Sequence, residues 1–323
     1  MNYKTHKNSY IFTVVLALCM MLAACSDYLY DENGGKLNSE DRIQLSGDIT
    51  QLSVTRVNDS GFCDGDVMGV YVVDYDGGTP GTLKPSGNRG DNVRHTYEEA
   101  SNHWNSAYDL FWKDKHTHID VYGYYPFANP ESIDDYQFEV QKDQSKASED
   151  GEMGGYEASD FLWGKVGDVA PTTNVIRLPL SHRMSNARVT LIQGSGFAEG
   201  EWANTEKIVL APNLVRKASI NLANGEVKPA GSVESTATIP SRVGDEWRTI
   251  VVPQTLKAGT TLFSITIGGV PYKFAKNEAL TYVAGKMMNF GIKVDKKAAS
   301  GQYKLTLVSE SITPWENDLV SHD

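Results

Sequence analysis

The chain has 323 residues, 30 of them basic and 41 acidic, for a formal net charge of −11. A surface with that surplus repels nucleic acid and anionic lipid, which excludes both as partners recruited by charge. Of three cysteines, two fall in the first 25 residues and only Cys63 remains in the body. No intramolecular disulfide framework is available, so stability has to come from hydrophobic cores, and the length suffices for two ordinary domains.

Residues 1–24 have the three parts of an export signal. Lys4 and Lys7 make a positive start, Ile11 to Leu22 is almost wholly apolar, and Ala23-Ala24 leads into Cys25. The apolar run falls short of the roughly 20 residues needed to cross about 30 Å of hydrocarbon. Leu22-Ala23-Ala24-Cys25 matches the lipobox of bacterial lipoproteins, whose cysteine is acylated before cleavage on its amino side. Lipidation at Cys25 is therefore expected, and two or more acyl chains tether a protein to a membrane stably. Loss of residues 1–24 leaves 28 basic against 41 acidic residues, a net charge of −13. Residues 25–40 are polar, contain Gly34-Gly35 and lack periodicity, as a flexible stalk would. Within them Asp27, Asp31 and Glu32 partly match the acidic signal that directs Bacteroidetes lipoproteins to the outer face of the outer membrane.

From residue 41 onward, short runs rich in Val, Ile, Thr, Tyr and Phe alternate with Gly, Pro, Asn and Asp. Strands are predicted at 67–73, 119–125, 176–180, 187–192, 207–210, 249–252, 262–267, 288–294 and 303–308. Asn224-Gly225, between Ala218–Leu222 and Val227, predicts a hairpin. Outside the signal no window carries helical periodicity over ten residues, so helices should be few and short. The fold class expected is all-β, with two tandem antiparallel β-sandwich domains. Lys142 to Ala158 reads as a long loop, and Val166 to Asn174 as a linker. That places an N-terminal sandwich at 41–175 and a C-terminal one at 176–323.

Several local patterns follow one another in a distinctive order. Thr55-Arg56 and Phe62 precede Gly65-Asp66-Val67-Met68-Gly69-Val70-Tyr71. Trp112-Lys113-Asp114 leads to Ile119-Asp120-Val121-Tyr122-Gly123-Tyr124-Tyr125-Pro126, and Ser159-Asp160-Phe161-Leu162-Trp163 comes next. Leu178-Pro179-Leu180-Ser181-His182-Arg183-Met184-Ser185-Asn186-Ala187-Arg188-Val189, Ala284-Gly285-Lys286 and Ile312-Thr313-Pro314-Trp315 complete the set. This order, with the lipobox, resembles the Bacteroidetes fimbrillin (Mfa-like) family of surface lipoproteins. The resemblance implies two transthyretin-like sandwiches and a pilus subunit or surface adhesin, at the cell surface or in a fimbrium, whose partners are other pilus subunits or host and bacterial surface ligands. It further implies trimming after an arginine near the N-terminus, removing the first strand and opening a groove for a neighbour's strand. The candidate trimming sites are Arg42, in Glu40-Asp41-Arg42-Ile43, and Arg56, in Val54-Thr55-Arg56-Val57. The short stretch after Trp315 leaves little for a long C-terminal donor strand. An accessory, tip, anchor or stand-alone member, still tethered at Cys25, is therefore expected over a shaft subunit.

The sequence points to no enzyme. Nucleophile elbows, zinc-protease helices, phosphate loops and dinucleotide fingerprints are all missing from it. Cys63 beside Asp64 lacks basic neighbours that would activate a thiol. His116-Thr117-His118, with His103 near, is half of a zinc pattern at most, and Asp74, Asp76 and Asp91 lack EF-hand spacing. No catalytic residue, metal or cofactor is therefore expected. Arg89-Gly90-Asp91, in Gly87-Asn88-Arg89-Gly90-Asp91-Asn92, is a candidate adhesion loop of integrin-binding type. The alternative function is a surface glycan-binding lipoprotein that passes oligosaccharide to an outer-membrane uptake system. It would use Trp104, Tyr108, Tyr124, Tyr125 and Tyr136 as a stacking platform.

Overall fold

The computed structural model describes residues 41–49, 62–149, 153–297 and 300–315. Cys25 and Arg56 lie outside them. Seven strands, β1 (Leu45–Ile49), β2 (Val67–Asp74), β3 (Gly90–Glu98), β4 (His103–Ser106), β5 (Ile119–Tyr125), β7 (Leu162–Val169) and β8 (Ile176–His182), form one sheet in the order β1-β8-β7-β5-β2-β3-β4. A small sheet joins β6 (Tyr136–Glu139), β11 (Lys217–Asn221) and β12 (Glu226–Pro229) in the order β12-β11-β6. Five strands, β9 (Ser185–Gln193), β13 (Ser241–Val243), β14 (Glu246–Val251), β19 (Lys286–Lys296) and β20 (Tyr303–Pro314), run β13-β14-β9-β19-β20. Facing them are β10 (Lys207–Leu210), β16 (Thr261–Ile267) and β17 (Val270–Ala275), with the pair β15 (Gln254–Leu256) and β18 (Leu280–Tyr282). Among the described residues the only α-helix is the single turn Glu201–Asn204. The fold is an all-β sandwich, as expected.

Three apolar cores explain the strand patterns. One face of the seven-stranded sheet buries Met68, Val70, Val121, Leu162, Leu178 and Leu180 with Phe62 and Trp104. Its other face sends Tyr71, Tyr122, Tyr124 and Trp163 against Phe138 of β6 and Ala218 and Ile220 of β11. Covered on both sides, β5 is buried at every position and β2 at all but its ends, so neither shows the alternation of a half-solvated strand. The third core lies inside the second sandwich, between β9 and β19 on one side and β16 on the other. The Asn224-Gly225 hairpin forms as expected, with Gly225 at a φ of 72° and packed so closely on Trp163 that a Cβ would strike the indole.

The expected linker at 166–174 is corrected in part. Val166 to Val169 continue β7, which pairs with β5, and Asp168 within it has a left-handed φ of 57°. β8, expected to start the second sandwich, lies in the first sheet between β7 and β1. The long loop expected at 142–158 is present and anchored. Gln144 lies buried against the second half, its amide donating to the Ile250 carbonyl at 2.8 Å and accepting from the Ile250 N–H at 2.7 Å.

Candidate functional site

The N-terminal strand closes the first core. β1 runs parallel to β8, from Leu45 opposite Ile176 to Ile49 opposite Leu180, and β8 is its only ladder partner among the described residues. On its other side the chain is held by separate contacts. The Ile43 N–H donates to the Leu110 carbonyl at 2.7 Å and the Trp112 N–H to the Asp41 carbonyl at 2.9 Å. The buried indole of Trp104, in β4, donates to the Gly47 carbonyl at 3.1 Å. The two ends of the seven-stranded sheet therefore meet along β1.

Inward-facing side chains make this closure favourable. Ile43 and Leu45 are each 5% exposed, and burying such a side chain contributes about 1.5–3 kcal/mol. The next inward position is Gly47, where a Cβ would lie 2.9 Å from Met68 Sδ. Outward side chains add little. Arg42 pairs with Asp109 at 3.0 Å and Arg177 with Asp48 at 3.1 Å, both in solvent, where such pairs are worth about 0–1 kcal/mol. A cavity of about 290 Å³ lies beside the strand, lined by Arg42, Gln44, His95, His103, Trp104 and Ser106. The buried His95 donates Nδ1–H to the Val93 carbonyl at 3.0 Å, and desolvation pushes its pKa below the usual imidazole range.

Other residues singled out by the sequence fall elsewhere. Arg89 holds Asp74 through Nε and Nη2, the shortest contact being 2.7 Å, and Gly90 is buried as the first residue of β3. The Asp91 carboxylate accepts the Gly87 and Asn88 N–H groups at 2.8 and 2.9 Å. Arg89-Gly90-Asp91 is thus built into a turn and a strand, with the Arg89 guanidinium on Asp74 and the Asp91 carboxylate on the turn's N–H groups. The expected sugar platform is corrected: Trp104, Tyr124 and Tyr125 are core residues, 3%, 1% and 1% exposed, while Tyr108 stands alone at 52%. His118 binds Asp168 at 2.7 Å, and the His116 N–H donates to Asp114. No group of three metal-ligating side chains occurs among the described residues. Cys63 lines a cavity of about 480 Å³ with Asp64, Asp66, Glu149 and Arg94, and burial raises the Asp66 carboxyl despite hydrogen bonds from the Cys63 N–H and the Tyr125 hydroxyl. His182 is held by Asp160 at 2.9 Å and stacked on Trp315 at 4.1 Å, so both are packing residues. Sequence reasoning missed β1 itself, β3 and the Trp104 bond to Gly47. The signal for β1 was present in Ile43-x-Leu45-x-Gly47, but five residues of mixed polarity give no period to read.

An N-terminal strand thus closes the first core of an all-β sandwich, and no metal-binding cluster occurs among the described residues. The chain belongs to the fimbrillin-like family, whose model matches residues 55–315. Its fold is similar to that of a proposed cell adhesion protein from Bacteroides uniformis ATCC 8492, at 16% identity and a TM-score of 0.60, over 85% of this chain and 99% of that one. A proposed cell adhesion protein from Bacteroides ovatus ATCC 8483 is similar at 16% identity and a TM-score of 0.59, over 85% and 97%. A fimbrial protein from Bacteroides vulgatus ATCC 8482 is similar at 12% identity and a TM-score of 0.51, over 85% and 99%. Such identities make these likenesses of fold. No curated protein matches the chain.

Proposed function

We propose that the protein is a non-enzymatic, surface-exposed fimbrial subunit or accessory adhesin, delivered as a lipoprotein through Cys25 and joined to other subunits by strand addition. The observation that carries this reading is the placement of β1. A five-residue strand with one ladder partner among the described residues closes an apolar core, so its departure would leave a groove of the right shape for another strand. Membership in the fimbrillin-like family supports the same role.

The two candidate cleavage sites differ in consequence. A cut after Arg42 leaves β1 covalently attached, because the strand lies on its carboxyl side. A cut after Arg56 severs β1 from Phe62 and everything beyond. Arg56 is therefore the proposed processing site, and its use would also separate Cys25 from the folded body. The division between the two sandwiches is proposed at Arg183-Met184, between β8 and β9, in place of 175.

Treating the full chain with an arginine-specific protease, and fixing the new N-terminus by sequencing, tests the assembly reading. A cut at Arg56 should yield ladders on a gel run without boiling, whereas persistent monomer after that cut counts against polymerisation. Intact mass of the membrane-extracted protein should exceed that of the chain from Cys25 by its acyl groups. An unmodified mass would exclude the anchor.

A further inference from the structure

We infer that the end of the second sandwich farthest from the N-terminus carries a binding site for a neutral oligosaccharide, built on Phe197, Tyr272 and Tyr303. This names a ligand for the adhesin reading above and does not depend on strand addition. Strand direction fixes the place. β1 runs parallel to β8, so the chain from Cys25 enters where Leu45 lies opposite Ile176. β8 runs from there to His182, and only Arg183 and Met184 separate it from β9. β9 and β19 then run parallel, from beside Met184 and Met287, which share a core with Tyr71 and Trp163 of the first sheet, towards Gln193 and Lys296. The loops beyond them form the free end, opposite the entry of the chain.

Three rings meet there. Phe197 and Tyr303 lie 5.8 Å apart with planes 17° from parallel, and Tyr272 meets Tyr303 at 79° and 6.2 Å. All three are half-buried. The set is fixed before any ligand arrives. The buried Trp202 packs edge-on against Phe197 at 5.1 Å with its indole N–H on Asp245, and the Tyr303 N–H donates to the Tyr272 hydroxyl at 2.8 Å. Rings held in this way can take the C–H face of a pyranose with little further ordering.

Charge selects a neutral ligand. The segments at this end, 194–207, 242–246, 268–272, 293–297 and 300–304, hold six acidic and six basic residues in a chain of net charge −11. Lys296 pairs with Glu201, and Lys207 and Arg242 with Asp245 at 3.2 and 3.6 Å, so these ions offset one another. They also supply donors and acceptors for hydroxyl groups at the rim. The patch is small. Three half-buried rings fall far short of the roughly 800 Å² per partner that a stable protein interface buries, which favours a sugar over a second protein.

Fluorescence anisotropy of labelled maltoheptaose, cellohexaose and lacto-N-tetraose against the full chain tests the site, with sialyllactose as the charged control. At least one neutral sugar should bind, and more tightly than sialyllactose. Phe197→Ala and Tyr272→Ala should each weaken that binding by about tenfold or more, whereas Tyr272→Phe, which keeps the ring, should not. Hydrogen exchange on the wild-type chain covers the case in which an alanine variant misfolds: bound sugar should protect 194–206 and 268–272. Protection confined to the first sandwich, or unchanged affinity in both folded alanine variants, would overturn the site and leave the adhesin reading standing. Tighter binding of sialyllactose, or no binding of any neutral sugar, would overturn the ligand class, and the Arg56 cleavage experiment would still decide assembly.

Discussion

At the residue scale, His95 couples the seam to pH. Its folded pKa lies below the ordinary value of 6.5 because burial disfavours the imidazolium, and His103 adds in the same direction. Protonation therefore favours the unfolded state. The stability this group contributes is complete above pH 6.5 and is lost as pH falls below it, by up to about 1.4 kcal/mol per pH unit. Urea midpoints at pH 7, 6 and 5 should decline along that slope. His95→Asn, whose amide can still reach the Val93 carbonyl, should flatten it. His95 itself was not legible in the sequence. It sits in a run, Asn92-Val93-Arg94-His95-Thr96, whose polar members gave no strand signal, and only β3 pairing with β2 shows that it faces inward. Arg89-Gly90-Asp91 taught the opposite lesson. The tripeptide was legible, but its setting was not, because Asp74, which takes the guanidinium, is 15 positions away.

At the element scale, strands rich in β-branched and aromatic residues were the easiest to read. β10 and β5 fall at the limits expected from composition, and β16 and β19 differ only at their ends. The seam between β7 and β8 was misread because Gly167 and Asp168 look like a loop, although the ladder from β5 continues past them to Val169. Gln144 shows how a loop can stand in for a strand. Its amide satisfies both backbone groups of Ile250, in β14, inside an apolar environment. Gln144→Ala should leave two buried backbone groups unpaired and cost about 2–4 kcal/mol. Hydrogen exchange should then speed up at Ile250 well before it does at Phe290, in the opposite core.

On the scale of the whole molecule, the middle core is shared. It draws Tyr71, Tyr124 and Trp163 from the first sheet and Ile250, Val252, Met287 and Trp315 from the second half. β6 and β11, far apart in sequence, complete it by pairing with each other. The two sandwiches should accordingly unfold in one cooperative transition. Trp315→Ala, which removes a buried indole stacked on His182, should cost about 3–5 kcal/mol. Calorimetry should show the wild-type peak lowered and, if the halves uncouple, divided in two.

The sequence by itself determined the all-β class, most strand positions and the family, because these depend on local composition and on motifs read in order. It also carried the export and lipidation pattern at Cys25, which is a property of a contiguous segment. Tertiary structure alone decided that β8 belongs with the first sheet and that the aromatics line cores. It alone placed β1 between β8 and Trp104. Each of these is a pairing between residues distant in the chain, chosen by which apolar faces can be buried together, and no local period records that choice.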